Sequence, residues 1–179
     1  MENKNDKIKA KKAIFEQTIK EGSDEYIIAT LEEIRETGED YMVEPIINLL
    51  FAKRSEHLKN EVVNFLVDLK NKEAATDIIS AIRNNYSAAD LHLLVSVCWQ
   101  SRFDFSNEIE LFIDLLCNAD YQTSFEAFSV VENSLDSTSD EDIAKHITSL
   151  KDKVNNASEQ KQALIQQMIA VMEEFGGGR

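Results

Sequence analysis

Five residues of this 179-residue chain carry side chains that could do chemistry near neutral pH: His57, His92, His146, Cys98 and Cys117. Histidine supplies a general base or a metal-binding nitrogen, and a thiolate supplies a nucleophile or a softer metal ligand. Either use needs company, namely a base within hydrogen-bond reach or several ligands converging from facing elements. The histidines stand 35 and 54 positions apart. None has a Cys, Asp or Glu partner at i+3 or i+4 that recurs on a facing helix, so no metal site is signalled. His92 opens a mostly apolar segment and reads as a partly exposed polar residue. Cys98 and Cys117 lie inside apolar runs and read as small core residues. The acidic stretch DSTSDED at 136–142 lacks the glycine and ligand spacing of a calcium loop. It reads instead as helix capping, with Glu141 and Asp142 favoured at a helix N-terminus by the macrodipole. No glycine-rich phosphate loop, Gly-x-Ser-x-Gly elbow or His-Glu-x-x-His motif occurs. The expectation is a protein without catalytic residues, cofactor or metal.

What must position these residues is a chain with almost no helix breakers. One proline and five glycines are present, and three of the glycines are Gly176, Gly177 and Gly178. The rest therefore reads as all-α. A hydrophobic content of 43% with 29% charged residues is that of a globular rather than a disordered chain. No apolar stretch approaches the roughly 20 residues of a membrane-spanning helix, and MENKNDKIKAKKAIF lacks the apolar core of a secretion signal. Two cysteines make no disulfide framework, so a reduced, cytoplasmic protein is expected. The net charge is −14, yet the first 20 residues carry +3 and the remainder −17. An acidic body of that size repels nucleic-acid phosphates and anionic lipid, and it is compatible with a basic protein partner or simply with a solvated acidic surface.

Apolar residues at spacings of three and four predict a series of helices. The first spans 6–20, with Ile8, Ile14, Phe15 and Ile19 inward and lysines on most other faces. Gly22-Ser23-Asp24 ends it and caps a helix over 24–36 that buries Tyr26, Ile27, Leu31 and Ile34. Thr37–Asp40 is a turn. The segment 41–69 holds two apolar runs, Val43-Ile46-Ile47-Leu50-Phe51 and Leu58-Val62-Val63-Leu66-Leu69, parted by Lys53-Arg54-Ser55-Glu56. Pro45 sits in the first turn of the first run, where a missing N–H costs least. Further helices follow over 72–84, with Ala75, Ile78, Ile79 and Ile82 inward, and over 88–100, the most apolar of all. The last four cover 107–118, 121–134, 140–155 and the segment from about 158 to Phe175.

Apolar dyads recur in the first helix of each pair: Ile47/Leu50, Ile79/Ile82, Ile113/Leu116 and Ile147/Leu150. Their offsets are 32, 34 and 34 residues, and Leu66 to Val97 is 31. A period in the thirties with two helices per period indicates stacked helical hairpins, each burying its stripes against its neighbours. The segment EPIINLLFAKRSEHLKNEVVNFLVDL resembles a HEAT repeat, clearest over 41–70. The resemblance implies an α-α superhelix, a right-handed solenoid of about five antiparallel pairs. These would lie near 6–36, 41–70, 72–101, 107–134 and 140–175, in one domain over 1–175 with a disordered tail at 176–179. HEAT repeats often pair an Asp in the turn with an Arg early in the second helix. The corresponding second-helix positions here are Lys59, Asp90 and Thr123, so that ladder is not expected. The signature residues of tetratricopeptide repeats are not met, and there is no room for the third helix of an armadillo unit.

The resemblance also implies that second helices line a concave face. Its polar lining would comprise Glu25, Glu32 and Glu36; Asn60, Asn64 and Asp68; His92, Ser96 and Gln100; Gln122, Glu126, Ser129 and Asn133; and Gln162, Gln166 and Glu173. Such a trough of amides and carboxylates suits a basic segment of a partner, although any amphipathic helix has a polar face. Trp99, Phe103 and Phe105 are either binding anchors or seals between repeats, the second being the expected role. The functional expectation is a non-enzymatic protein-interaction scaffold or adaptor, a monomer or weak oligomer that binds neither nucleic acid nor membrane. The alternatives are a HEAT-like enzyme or lyase acting on a small molecule or nucleic acid, and a purely structural, self-associating array.

Overall fold

A computed structural model of the chain describes residues 4–35 and 42–177. Among them every ordered element is helical and no strand occurs: α1 (Lys4–Glu21), α2 (Asp24–Ile34), α3 (Val43–Phe51), α4 (Glu56–Val67), α5 (Glu73–Asn84), α6 (Leu91–Gln100), α7 (Ile109–Asn118), α8 (Tyr121–Ser134), α9 (Asp140–Val154) and α10 (Glu159–Gly177). Short 3₁₀ turns at Ser106–Glu108 and Leu135–Ser137 precede α7 and follow α8. The expected turn over Thr37–Asp40 lies outside the described residues. So do Glu36 and the last two residues of the expected tail, 178 and 179.

Capping side chains set several helix starts. Ser23, Ser55, Asp120 and Ser139 are the N-caps of α2, α4, α8 and α9, accepting from the backbone N–H of Tyr26, Leu58, Thr123 and Asp142. Each such cap satisfies an N–H that the helix itself leaves without a partner, and is worth about 1 kcal/mol. The DSTSDED stretch is thus a cap, as expected. Ser139 and then Lys145 hold the Asp142 carboxyl below the usual carboxylate range. Gly22 marks a close approach rather than an unusual backbone angle. A Cβ there would lie 2.6 Å from the Thr18 carbonyl oxygen, which accepts the Gly22 N–H.

The chain divides into two compact units, Met1–Val97 and Cys98–Arg179, with the boundary inside α6. In the first, α1 packs against α3, α3 against both α4 and α5, and α2 against α4. Its core holds Ile27, Leu31, Ile46, Ile47, Leu50, Leu58, Phe65, Leu66, Ile78 and Ile82. In the second, α7 packs against α8 and α9, and α10 against α7, α8 and α9, around Phe112, Leu116, Val131, Leu150, Ile165 and Met172.

The inward faces differ from expectation at single residues. Ile14 and Tyr26 are 68% and 59% exposed, leaving Phe15 and Ile19 as the buried residues seen on α1, and Ile27 and Leu31 on α2. On α5 the buried alanine is Ala74 rather than Ala75. Helix α6 starts at Leu91, not at 88, which leaves Asp90 ahead of its first turn. On α1, α2 and α5 two adjacent residues competed for one face, and only one of each pair lies on the packed side.

Candidate interaction surface

The turns between helices are tied to one another by cations. Arg54, in the loop before α4, donates through Nη2 to the carbonyls of Ile19 (2.7 Å) and Lys20 (3.2 Å). Through Nη1 it donates to the carbonyl of Gly22 (3.0 Å) and to Asp24 Oδ1 (3.1 Å). The Ser55 N–H donates to the other Asp24 oxygen at 2.9 Å. These Ser55 hydrogen bonds, with the guanidinium of Arg54, hold Asp24 below the usual carboxylate range. One guanidinium thereby closes the C-terminal carbonyls of α1, which a helix cannot satisfy itself and whose dipole favours a positive charge.

A second tie joins the start of α4 to the residue ahead of α6: buried Lys59 donates to Asp90 Oδ2 at 2.8 Å. In the other unit Lys161, in the first turn of α10, donates to the carbonyls of Cys117 (3.2 Å) and Ala119 at the end of α7. Burial lowers the Lys161 ammonium from the ordinary lysine value, against the opposing charge of Asp120. A turn-to-turn tie of charged residues therefore exists where none was expected. It uses Arg54, Lys59 and Lys161, and its acceptors are largely backbone carbonyls.

Of the residues expected to line a binding face, Glu32, Asn60, Asn64, Asp68, Gln100, Gln122, Asn133, Gln166 and Glu173 are exposed; His92, Ser96, Glu126, Ser129 and Gln162 are half-buried. Several are engaged locally. Asp68 pairs with Arg35 Nε at 3.1 Å and Glu173 with Lys151 at 2.6 Å. Ser96 Oγ donates to the Leu93 carbonyl, and Gln162 Nε2 donates to that of Ala157. The His92 ring lies 3.3 Å from the Ala89 carbonyl. Glu25 is held below the ordinary glutamate value by its own backbone N–H and by Ser23.

The structure gathers a different set on α8. The Trp99 indole N–H donates to Glu126 Oε2 at 2.6 Å, and Asn133 Nδ2 donates to the Trp99 carbonyl at 3.3 Å. Tyr121 and Phe125, one turn apart on the same helix, are 48% and 53% exposed, and Trp99 is 39% exposed. With about 100° per residue, Tyr121, Gln122, Phe125, Glu126, Ser129, Glu132 and Asn133 fall on one continuous arc of α8. Thr123, Ser124, Ala127, Phe128, Val130, Val131 and Ser134 fill the buried arc.

Small buried residues explain the outward rings. Ser124 Oγ donates to the carbonyls of Leu115 (3.1 Å) and Ala119 (3.4 Å), and Thr123 binds Asp120 through backbone and hydroxyl. That brings the start of α8 close to the end of α7 and leaves Tyr121 and Phe125 outside. Phe105, by contrast, is buried, with edge-on contacts to Phe103 (6.3 Å) and Phe112 (6.1 Å). Of the three aromatics singled out in the sequence, Trp99 stands at the surface and Phe105 in the core.

Cys98 and Cys117 are buried, and burial raises both thiols above the ordinary cysteine value. Among the described residues no group of three or more His, Cys, Asp or Glu is placed to hold a metal ion, and no helix is long and apolar enough to cross a membrane. No protein-family model matches the chain, and no curated protein or solved structure matches it.

Proposed function

We propose that this protein is a non-enzymatic interaction module of HEAT-like stacked hairpins, and that α8 presents its main protein-binding face. The reading of stacked hairpins is supported by contacts within each unit. First helices follow first helices (α1 on α3, α3 on α5; α7 on α9), and second helices follow second helices (α2 on α4; α8 on α10). The charged ties between successive turns support it further.

The observation that carries the functional reading is the exposure of Tyr121 and Phe125 on the same arc of α8 as Glu126, which Trp99 engages. Soluble folds bury large aromatics where they can, and aromatic side chains with polar neighbours make good contact anchors. The polar face of α4, built from Asn60, Asn64 and Asp68, is the flank of this reading rather than its centre.

The test is affinity capture from the source cells with wild-type protein and with three variants. Phe125→Ala and Glu126→Lys are expected to lose the captured protein, while Asp68→Lys retains it. Capture that survives Phe125→Ala and Glu126→Lys contradicts the proposal.

A further inference from the structure

We infer that the α8 face takes an arginine-bearing segment of a partner protein, an inference that rests on the interaction-module reading and adds the chemistry of the ligand. Three observations converge on it. The first is charge. Residues 103–144 contain eleven Asp and Glu and not one Lys or Arg. Lys145 offsets Glu141 and Asp142 and Lys161 reaches the α7–α8 turn, which leaves α7 and α8 with a net acidic field. Such a field speeds the approach of a cationic segment and rejects acidic ones.

The second is the pair of exposed rings. Tyr121 and Phe125 are neighbours on the helix surface, and their π-faces attract a cation, arginine more often than lysine. The third is Glu126. Its carboxylate is oriented by the Trp99 indole N–H at 2.6 Å, and a carboxylate accepts several more hydrogen bonds than the one Trp99 provides. One guanidinium of the segment stacks on the Tyr121 and Phe125 rings while a neighbouring one donates to Glu126, so the planar shape serves at both contacts. An ammonium can form the ion pair but has no plane to stack. Aromatic shelf and carboxylate together therefore select arginine, where charge alone would accept either cation.

Trp99 is the chain's sole tryptophan and reports on this face directly. The experiment titrates the full-length protein with three alanine-rich peptides carrying arginine, lysine or glutamate one helical turn apart, following Trp99 fluorescence. The expected result is saturable binding of the arginine peptide, weaker binding of the lysine peptide by roughly tenfold, and none of the glutamate peptide. Tyr121→Ala with Phe125→Ala should weaken the arginine peptide by about tenfold and remove its advantage over lysine. Tyr121→Phe should retain both, and helical content measured by circular dichroism verifies that each variant folds. Asp152→Lys, on α9, should change affinity by no more than about twofold.

Equal affinity for arginine and lysine peptides in the wild type overturns the inference, as does an Asp152→Lys effect matching that of Glu126→Lys. If no peptide binds while affinity capture still depends on Phe125, the inference fails and the interaction module stands. If the species captured through Phe125 is only a second copy of this chain, both fail.

Discussion

Arg54 in the first unit and Lys161 in the second do equivalent work with unequal means. Each reaches from the start of one helix, α4 or α10, to the carbonyls that end another, α1 in one unit and α7 in the other. Arg54 spreads its donors over three carbonyls and Asp24, with only 18% of its side chain exposed. Lys161 makes its bonds from one ammonium that burial has already pushed down. The position of the tie follows the unsatisfied helix end, while the residue that fills it differs. The outer faces diverge more. Helix α4 presents Asn60, Asn64 and Asp68, whereas α8 adds two exposed rings to its amides and carboxylates.

The largest effect should come from breaking the stronger tie. Arg54→Ala strands several helix-end carbonyls and removes a charge partner of Asp24, and should cost about 2–3 kcal/mol, read as a lower urea midpoint. Arg54→Lys should recover less than half of that loss, because an ammonium cannot span the same acceptors.

The Lys59–Asp90 pair should be asymmetric. Asp90→Ala leaves a buried ammonium without its carboxylate and should cost about 2 kcal/mol, whereas Lys59→Met leaves Asp90 partly in water and should cost less than about 1 kcal/mol. The double variant should be more stable than Asp90→Ala alone, and a double variant less stable than either parent would refute this account. Lys161→Met should cost about 1 kcal/mol, less than Arg54→Ala. Equal losses would erase the distinction between the two units.

The smallest effect concerns pH. His146 in the second unit is half-buried, and burial lowers it from the ordinary value of 6.5 against the pull of Glu110 and Asp142. A histidine lowered in the folded state binds its proton more readily when unfolded. Its contribution is therefore complete above about pH 6.5 and is lost as pH falls through that value toward the folded one. His146→Gln should flatten the decline in stability across that window.

The helices were legible in the sequence because period and caps agree. The limits of α8 are those expected, and Ser23 and the 136–142 stretch cap as read. The ties were not legible for a physical reason. Arg54 stands outside any helix and its partners are mostly main-chain carbonyls, which leave no mark on the side-chain pattern. Asp90 is hidden because the apolar spacing carries the helix back to 88, whereas 88–90 is the turn that aims Asp90 at Lys59. The proposed binding face was legible in part. The spacing places Glu126, Ser129 and Asn133 on the polar face but does not mark Tyr121 and Phe125 as exposed. Aromatic residues in an apolar segment suggest a core face, and only the inward packing of Thr123 and Ser124 shows that the rings point out.

The most direct measurement places a photo-crosslinking amino acid at Phe125 and, in a separate preparation, at Asn64, then compares the adducts formed in cells. The α8 face predicts a discrete adduct with another protein from position 125 and none from position 64. Adducts of equal yield from both positions, or from position 64 alone, would contradict it.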